Sequence, residues 1–151
     1  MKAKIFFPLT ALSLIAMMAI YFLINPSYEK SLEAKYFYET GNYKKAYELA
    51  SEAFSMDVYN RMASTIMAQS KTSMKYQKYI DEAKKYLQEI NDIIEQDTIS
   101  DADRAKIKMM SEIMVDSYVK LAPSVITDKA LVEEAKNYYN NFKQILEKVT
   151  R

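Results

Sequence analysis

Residues that form turns are scarce in this chain. Its 151 residues include one glycine, Gly41, and three prolines. A β-rich protein needs many turns, and glycine and proline supply much of the backbone geometry that turns require. The sequence therefore predicts an all-α fold, made of long helices joined by few and short connections.

An uncharged run lies near the start of the chain. Residues 5–24 carry no charge, and they follow Lys2 and Lys4. As a helix, this run would extend roughly 30 Å, which matches the thickness of bilayer hydrocarbon. We therefore expect a tail at residues 1–4, a transmembrane signal-anchor helix at 5–25 that Pro26 ends, and a helical domain at 28–151.

A cleaved secretory signal is the competing interpretation of the same run. Such signals have about 7 to 15 apolar residues and a cleavage site with small residues. The run here is longer and offers only Ser27 as a small residue at its end, which favours the uncleaved anchor. If cleavage occurred, the product would be a secreted soluble binding protein.

Charge and composition suggest where an anchored protein would reside. Lys2 and Lys4 favour a cytoplasmic N-terminus with the body outside, in the periplasm. The lysine-rich, arginine-poor composition and the short anchor suggest a bacterial inner membrane, which the protein would cross once.

The side chains that perform most enzymatic chemistry are missing. The chain has no Cys and no His, which removes thiol catalysis, the commonest general base and the commonest transition-metal ligand. One glycine is too few for a phosphate-binding loop. The net charge of +1 provides no field that favours nucleic acid. We expect no catalytic residues, no cofactor, no metal site and no nucleic-acid partner.

Apolar residues recur at steps of three and four from residue 28 onward, which predicts about six helices. Their expected ranges are 28–40, 43–56, 58–76, 78–96, 101–122 and 127–149, forming three antiparallel hairpins. Asp57, Ser100 and Thr127 are the expected caps, and Pro123 is expected to end the fifth helix. The clearest apolar stripes are Tyr79-Ala83-Tyr86-Leu87-Ile90-Ile93-Ile94, Ala102-Ala105-Met109-Ile113-Met114-Tyr118-Leu121 and Leu131-Ala135-Tyr138-Phe142-Ile145-Val149.

The segment ETGNYKKAYELASEAFSMD, residues 39–57, resembles the middle and end of a tetratricopeptide repeat. The positions that carry the resemblance are the corner residues Gly41, Asn42 and Tyr43, and the small packing residues Ala34, Ala46 and Ala53. The best motif covers residues 27–60. The resemblance implies that Gly41 has a positive φ at a tight turn between two helices. A compact helical bundle is the alternative fold.

The resemblance also implies a face that binds a protein partner. In this family the partner lies on the concave surface lined by the first helix of each repeat. The corresponding positions here are Tyr28, Ser31, Lys35, Tyr38 and Glu39, followed by Met62, Thr65, Gln69 and Thr72 in the second repeat. The alternative is that the tyrosines are half-buried packing residues.

Together these features predict a membrane-anchored helical-repeat adaptor that binds another protein of a bacterial envelope complex. The alternative is a structural subunit, whose helices bury their apolar faces in a homo-oligomer or a larger envelope assembly.

Overall fold

The computed structural model describes residues 3–96, 98–122 and 127–150, and these residues form six helices and no strand. The all-α fold class is therefore confirmed. The helices are α1 (Ala3–Ile24), α2 (Pro26–Glu39), α3 (Tyr43–Met56), α4 (Arg61–Ile94), α5 (Asp101–Val119) and α6 (Lys129–Val149). The chain divides into two compact units, residues 1–71 and residues 72–151, and the boundary falls inside α4.

The first helix of unit 1 ends where Pro26 was expected to end it. Helix α1 stops at Ile24, and Asn25 caps α2 by accepting a 3.0 Å hydrogen bond from the Ser27 N–H. Pro26 is the first residue of α2, a position at which its missing N–H is tolerated. Within the described residues, no helix meets the length and hydropathy requirements for a membrane span by itself; Phe7–Tyr21 and Pro26–Glu39 meet them only as a pair bent by 74°.

The turn between α2 and α3 explains the single glycine. Gly41 has a φ of +81°, and its N–H donates to the Tyr38 carbonyl while the Asn42 N–H donates to the Phe37 carbonyl. These two bonds form a Schellman motif, which requires a residue in the left-handed region. The Asn42 side chain then accepts from the Lys45 N–H and starts α3. The positive φ predicted for Gly41 is confirmed.

Small residues let the helices of unit 1 approach closely. Helices α2 and α3 are antiparallel, because the start of α2 meets the end of α3 through a 3.0 Å ion pair between Lys30 and Glu52. The apolar cluster of this unit consists of Ala34, Ala46, Leu49, Ala50 and Ile66. Ala53 is also fully buried, and Tyr43 is nearly so.

Helix α4 corrects the expected division into hairpins. The helices predicted at 58–76 and 78–96 are one helix of 34 residues, so the second hairpin does not exist. No Gly or Pro lies inside this range, so nothing in the backbone requires a break. Its cap is Asn60, whose side chain accepts from the Ala63 N–H. Asp57, the expected cap, instead accepts from the Tyr59 N–H in the preceding turn.

Unit 2 contains the remainder of α4 with α5 and α6. Ser100 and Asp103 form the predicted start of α5 as a capping box. The cap of α6 is Asp128 rather than the expected Thr127, because the Asp128 carboxylate accepts from the Ala130 N–H. Pro123 lies outside the described residues, and α5 already ends at Val119.

Large apolar side chains fill unit 2. Tyr76, Ile90, Met114 and Phe142 are its largest fully buried side chains. Helix α4 runs antiparallel to α5, since Lys106 near the start of α5 pairs with Glu89 at 3.5 Å, while the Tyr76 hydroxyl donates to the Leu121 carbonyl beyond the end of α5. Lys84 of α4 pairs with Glu134 of α6 at 3.0 Å. The three segments thus enclose one core.

The stripes predicted for α4 and α6 match this core, except that Ile94 is exposed. The stripe predicted for α5 is partly wrong. Met114 is buried and Tyr118 packs against the core, but Met109 and Ile113 are exposed. Ile107 and Met110 take their places in the interior.

Candidate partner-binding groove

A buried hydrogen-bond network holds three elements of unit 1 together. The Asn60 amide nitrogen donates to the hydroxyl oxygens of Ser27, at 2.8 Å, and Ser31, at 2.9 Å. The Ser27 hydroxyl donates to the Ala53 carbonyl, and the Ser31 hydroxyl donates to the Ser27 carbonyl. We call Ser27, Ser31 and Asn60 the serine–asparagine network. All three side chains are buried, and each has partners, so burial leaves no unsatisfied group to destabilise the fold.

This network sets the position of α2 against the start of α4. Asn60 is the last residue before α4, and Ser31 lies one helical turn before Lys35 on α2. Because side chains three and four residues apart share a helix face, fixing Ser31 also fixes where Lys35 and Tyr38 project. The register between the two helices is therefore set by hydrogen bonds that have definite directions.

A groove lies between α2 and the first three turns of α4. We call it the α2–α4 groove; its volume is about 460 Å³. Its floor includes the buried Ile66 and the half-buried Met62. The lining residues are Lys35, Tyr38 and Glu39 from α2, and Arg61, Met62, Thr65, Ile66 and Gln69 from α4.

The rim of the groove carries charges of both signs. Lys35 and Glu39 form an ion pair at 3.6 Å, one helical turn apart. Both side chains are more than half exposed, so this pair contributes little to stability and can exchange for contacts with a partner. Arg61 is also exposed. An apolar floor with a charged and amide-bearing rim is the usual chemistry of a protein-binding surface.

Tyr38 forms a side wall of the groove. It is half-buried, and its ring packs edge-on against Tyr43, with the ring centres 5.4 Å apart and the planes at 64°. A tyrosine held in this way presents a large contact area without having to lose much side-chain freedom on binding.

The structure brings four of the six predicted partner-binding residues to this groove. Lys35, Tyr38, Glu39 and Gln69 line it, and so do Met62 and Thr65, which the resemblance also placed on the binding face. Ser31 is fully buried in the serine–asparagine network. It cannot contact a partner, and its assignment to the binding face is corrected.

Tyr28 and Thr72 do not line the groove. Tyr28 is half-buried at the start of α2, with its ring 6.5 Å from that of Tyr21. Thr72 belongs to unit 2.

Two lining residues were missed by sequence reasoning. Arg61 directly follows the Asn60 cap, and Ile66 lies four residues after Met62. The sequence could have predicted both as lining residues from the positions of Met62, Thr65 and Gln69, because residues spaced by three and four share one face of a helix. The missing information was that α4 starts at Arg61 and not at residue 58.

Across the described residues, no three acidic side chains approach closely enough to hold a metal ion. Two groups of unit 2 have pKa values that are shifted from their ordinary values. Hydrogen bonds from Ser100 hold the pKa of Asp103 below its ordinary value. Burial raises the pKa of Tyr79, whose hydroxyl has no hydrogen-bond partner among the described residues.

The chain has no match among protein-family models, and comparisons with curated proteins and with solved structures find no similar protein.

Proposed function

We propose that this protein is a membrane-anchored adaptor that binds another protein through the α2–α4 groove. The observation that carries the proposal is the convergence of Lys35, Tyr38, Glu39 and Gln69 around one groove. These residues come from two helices that are separate in the sequence. Their side chains combine an aromatic wall, both charge signs and an amide, which suits a peptide segment better than a small apolar molecule.

The anchor in this proposal is α1. Residues 5–24 have no charge, and large apolar side chains along α1, such as Leu14, are exposed in the isolated chain. Exposed apolar surface on this scale favours a lipid environment. The positive residues before it support a periplasmic body, on a bacterial inner membrane. Anchoring would raise the local concentration of the partner, so a modest groove affinity would suffice.

The resemblance of residues 27–60 to a tetratricopeptide repeat supports the proposal, but only for the hairpin that α2 and α3 form. The Gly41 turn and the buried Ala34, Ala46 and Ala53 provide the close helix packing that the family uses. The proposed adaptor then has a single repeat-like hairpin whose groove is completed by α4.

Site-specific photocrosslinking in intact cells tests the groove. A photoreactive amino acid at Gln69 of the full-length protein should crosslink to a distinct envelope protein, which mass spectrometry identifies. The double variant Lys35→Ala/Tyr38→Ala should reduce that crosslink at least tenfold, because it removes the aromatic wall and one rim charge.

A matched control is available on the same unit. Tyr36→Ala/Lys45→Ala removes the same two residue types at exposed positions outside the groove, and it should leave the crosslink unchanged. Circular dichroism must show the same helicity in both variants. Equal crosslinking in the two variants, or links only between copies of this chain, would contradict the adaptor proposal.

The structural-subunit alternative is favoured by a different surface. Met109, Ile113 and Val119 of α5 are 53%, 40% and 75% exposed. In a homo-oligomer this face would be covered by another copy. Met109→Lys/Ile113→Lys should then convert the oligomer to monomer in analytical ultracentrifugation of the detergent-solubilised protein. An unchanged sedimentation coefficient would count against the alternative.

A further inference from the structure

The turn between α3 and α4 exposes apolar side chains that the fold does not use. Met56, Val58 and Tyr59 are 49%, 60% and 88% exposed. We call residues 56–59 the apolar tip. Met56 is the last residue of α3, and Val58 and Tyr59 lie in the short connection that follows it. Exposed apolar side chains are unusual there, since connections in a helical protein are ordinarily polar.

The tip is held in a defined conformation. The Asn60 N–H donates to the Asp57 carbonyl at 3.0 Å, and the Tyr59 N–H donates to the Asp57 carboxylate at 2.9 Å. These bonds form a compact turn around Val58 and Tyr59. The exposure of the two side chains is therefore a property of an ordered turn.

The serine–asparagine network places the tip beside the end of α1. Asn60 directly follows the tip and donates to the Ser27 hydroxyl at 2.8 Å. Ser27 lies three residues after Ile24, the last residue of α1. Ala53, just before the tip, accepts from the same hydroxyl. The tip and the exit from α1 are thus adjacent within unit 1.

We propose that the apolar tip inserts into the membrane interface next to the anchor. This inference rests on the proposed function, because it requires α1 to lie in a bilayer. Because Ser27 follows the end of α1 by only three positions, it would lie at the level of the lipid headgroups. The tip is adjacent to Ser27 and would therefore lie at the same level. Tyrosine favours this zone, where its ring is apolar and its hydroxyl remains hydrated.

The charges near the tip indicate which lipid surface it fits. Asp57 is negative and Arg61 is positive, and Lys30 is paired with Glu52. The local charges balance, so attraction to anionic lipid is not the driving force. The driving force is instead the apolar contact of Met56, Val58 and Tyr59 with lipid, for which a zwitterionic bilayer is sufficient.

Single cysteines provide the test, because the natural sequence has none. The full-length chain carries Leu14→Cys in α1, Val58→Cys in the tip, or Lys45→Cys. All three positions are exposed, so labelling should leave the fold intact. Lys45 lies beside the Gly41 turn, at the opposite end of the α2–α3 hairpin. Each variant receives the same environment-sensitive fluorophore and is reconstituted into phosphatidylcholine nanodiscs, with or without a spin-labelled lipid that quenches it.

We expect the label at Leu14 and the label at Val58 to be quenched at least threefold more than the label at Lys45. Quenching at Leu14 with Val58 no different from Lys45 would overturn the tip proposal and leave the anchor in place. Absence of quenching at Leu14 would remove the anchor and the tip proposal together. Because the fluorophore is the same at all three sites, insertion driven by the label would also quench Lys45, and that result would overturn the proposal.

Discussion

The two units of this protein are stabilised by different means. The largest fully buried side chains of unit 2 are Tyr76, Phe142, Ile90 and Met114, whereas the largest one in unit 1 is Asn60. Most buried residues of unit 1 are alanines and serines, although Tyr43, Leu49 and Ile66 are also buried. The helices of this unit are joined by the serine–asparagine network. Unit 2 has more apolar area to bury, and unit 1 has more directional bonds.

This difference shows how a short, alanine-rich hairpin can still form a defined groove. Alanines permit close helix packing but provide few shape constraints, because they have no rotamers. Hydrogen bonds from Asn60 to α2 supply the missing register. Unit 2 has no binding role in our proposal, and close packing of large side chains is enough to specify it. Five substitutions in the full-length chain, studied in detergent micelles, test this comparison in order of expected effect.

The largest effect is expected for Phe142→Ala in the core of unit 2. Phe142 is fully buried, and its truncation should lower the free energy of unfolding by about 3 to 5 kcal/mol. Phe142→Leu should cost less than half as much, since most of the apolar volume remains. Thermal unfolding followed by circular dichroism measures both. If Phe142→Leu lowered the free energy of unfolding as much as Phe142→Ala, unit 2 would depend on the shape of the buried side chain more than on its apolar area.

Asn60→Leu should destabilise unit 1 although it adds apolar surface. The substitution removes the α4 cap and two buried hydrogen bonds, for an expected loss of about 2 to 4 kcal/mol. Hydrogen exchange should show lost protection in α2 and in the first turns of α4, with Phe142 and its neighbours still protected. A stabilised Leu variant would mean that the network does not maintain this unit.

Ala46→Leu tests the close packing of α2 on α3. Ala46 is fully buried in the alanine cluster, and a larger side chain there should cost about 1 to 3 kcal/mol through overpacking. Lys44→Leu, two residues away and exposed, is the control and should change the melting temperature little. If the two variants had the same melting temperature, the packing around Ala46 would have room for a larger side chain.

Gly41→Ala should cost about 1 kcal/mol, because an alanine is strained at positive φ. Apart from Gly41 and its two chain neighbours, no heavy atom of the described residues lies within 4 Å of the position that a Cβ would occupy. The strained backbone alone therefore causes the loss. Gly41→Asn should cost less, since asparagine tolerates this conformation. An equal loss in both variants, measured by urea unfolding, would point to a different cause.

The smallest effect is expected for Ser100→Ala, and it should depend on pH. Hydrogen bonds from Ser100 lower the pKa of Asp103 below its ordinary value of 3.8 in the folded state. The stability that this shift contributes is present above pH 3.8 and is lost as the pH falls through the lowered pKa. The difference in Tm between the natural protein and the variant should therefore narrow in acid. A gap that widened in acid would contradict the assigned hydrogen bonds.

Much of the fold could be predicted from local sequence chemistry. The starts of α3 and α5 follow from Asn42 and Ser100, whose side chains act within their own segments. The turn at Gly41 was predictable for the same reason. Helix α2 starts at Pro26, two residues before the expected start at 28. Residues 61–94 contain no Gly or Pro that would end a helix. The expectation of a repeat nevertheless divided this segment into two helices, and no residue in α4 supports that division.

Burial of small polar residues could not be predicted in this way. Ser31 occupies a position suited to a binding face, but its hydroxyl donates to the Ser27 carbonyl and accepts from the distant Asn60, which makes its burial favourable. Helix α5 poses a related difficulty, because adjacent methionines allow two different apolar faces. The structure selects Met110 and leaves Met109 exposed. In both cases the deciding contact comes from a part of the chain that is distant in the sequence.

The position of Ser27 has a mechanical consequence. It lies between the end of α1 and the groove, and it bonds to both Ala53 and Asn60. Tension applied along α1 would reach these two hydrogen bonds before it reached the rest of α3 and α4. If α1 is the membrane anchor that we propose, a pull on it would therefore load the contact between α2 and the start of α4, and the proposed groove would respond to force.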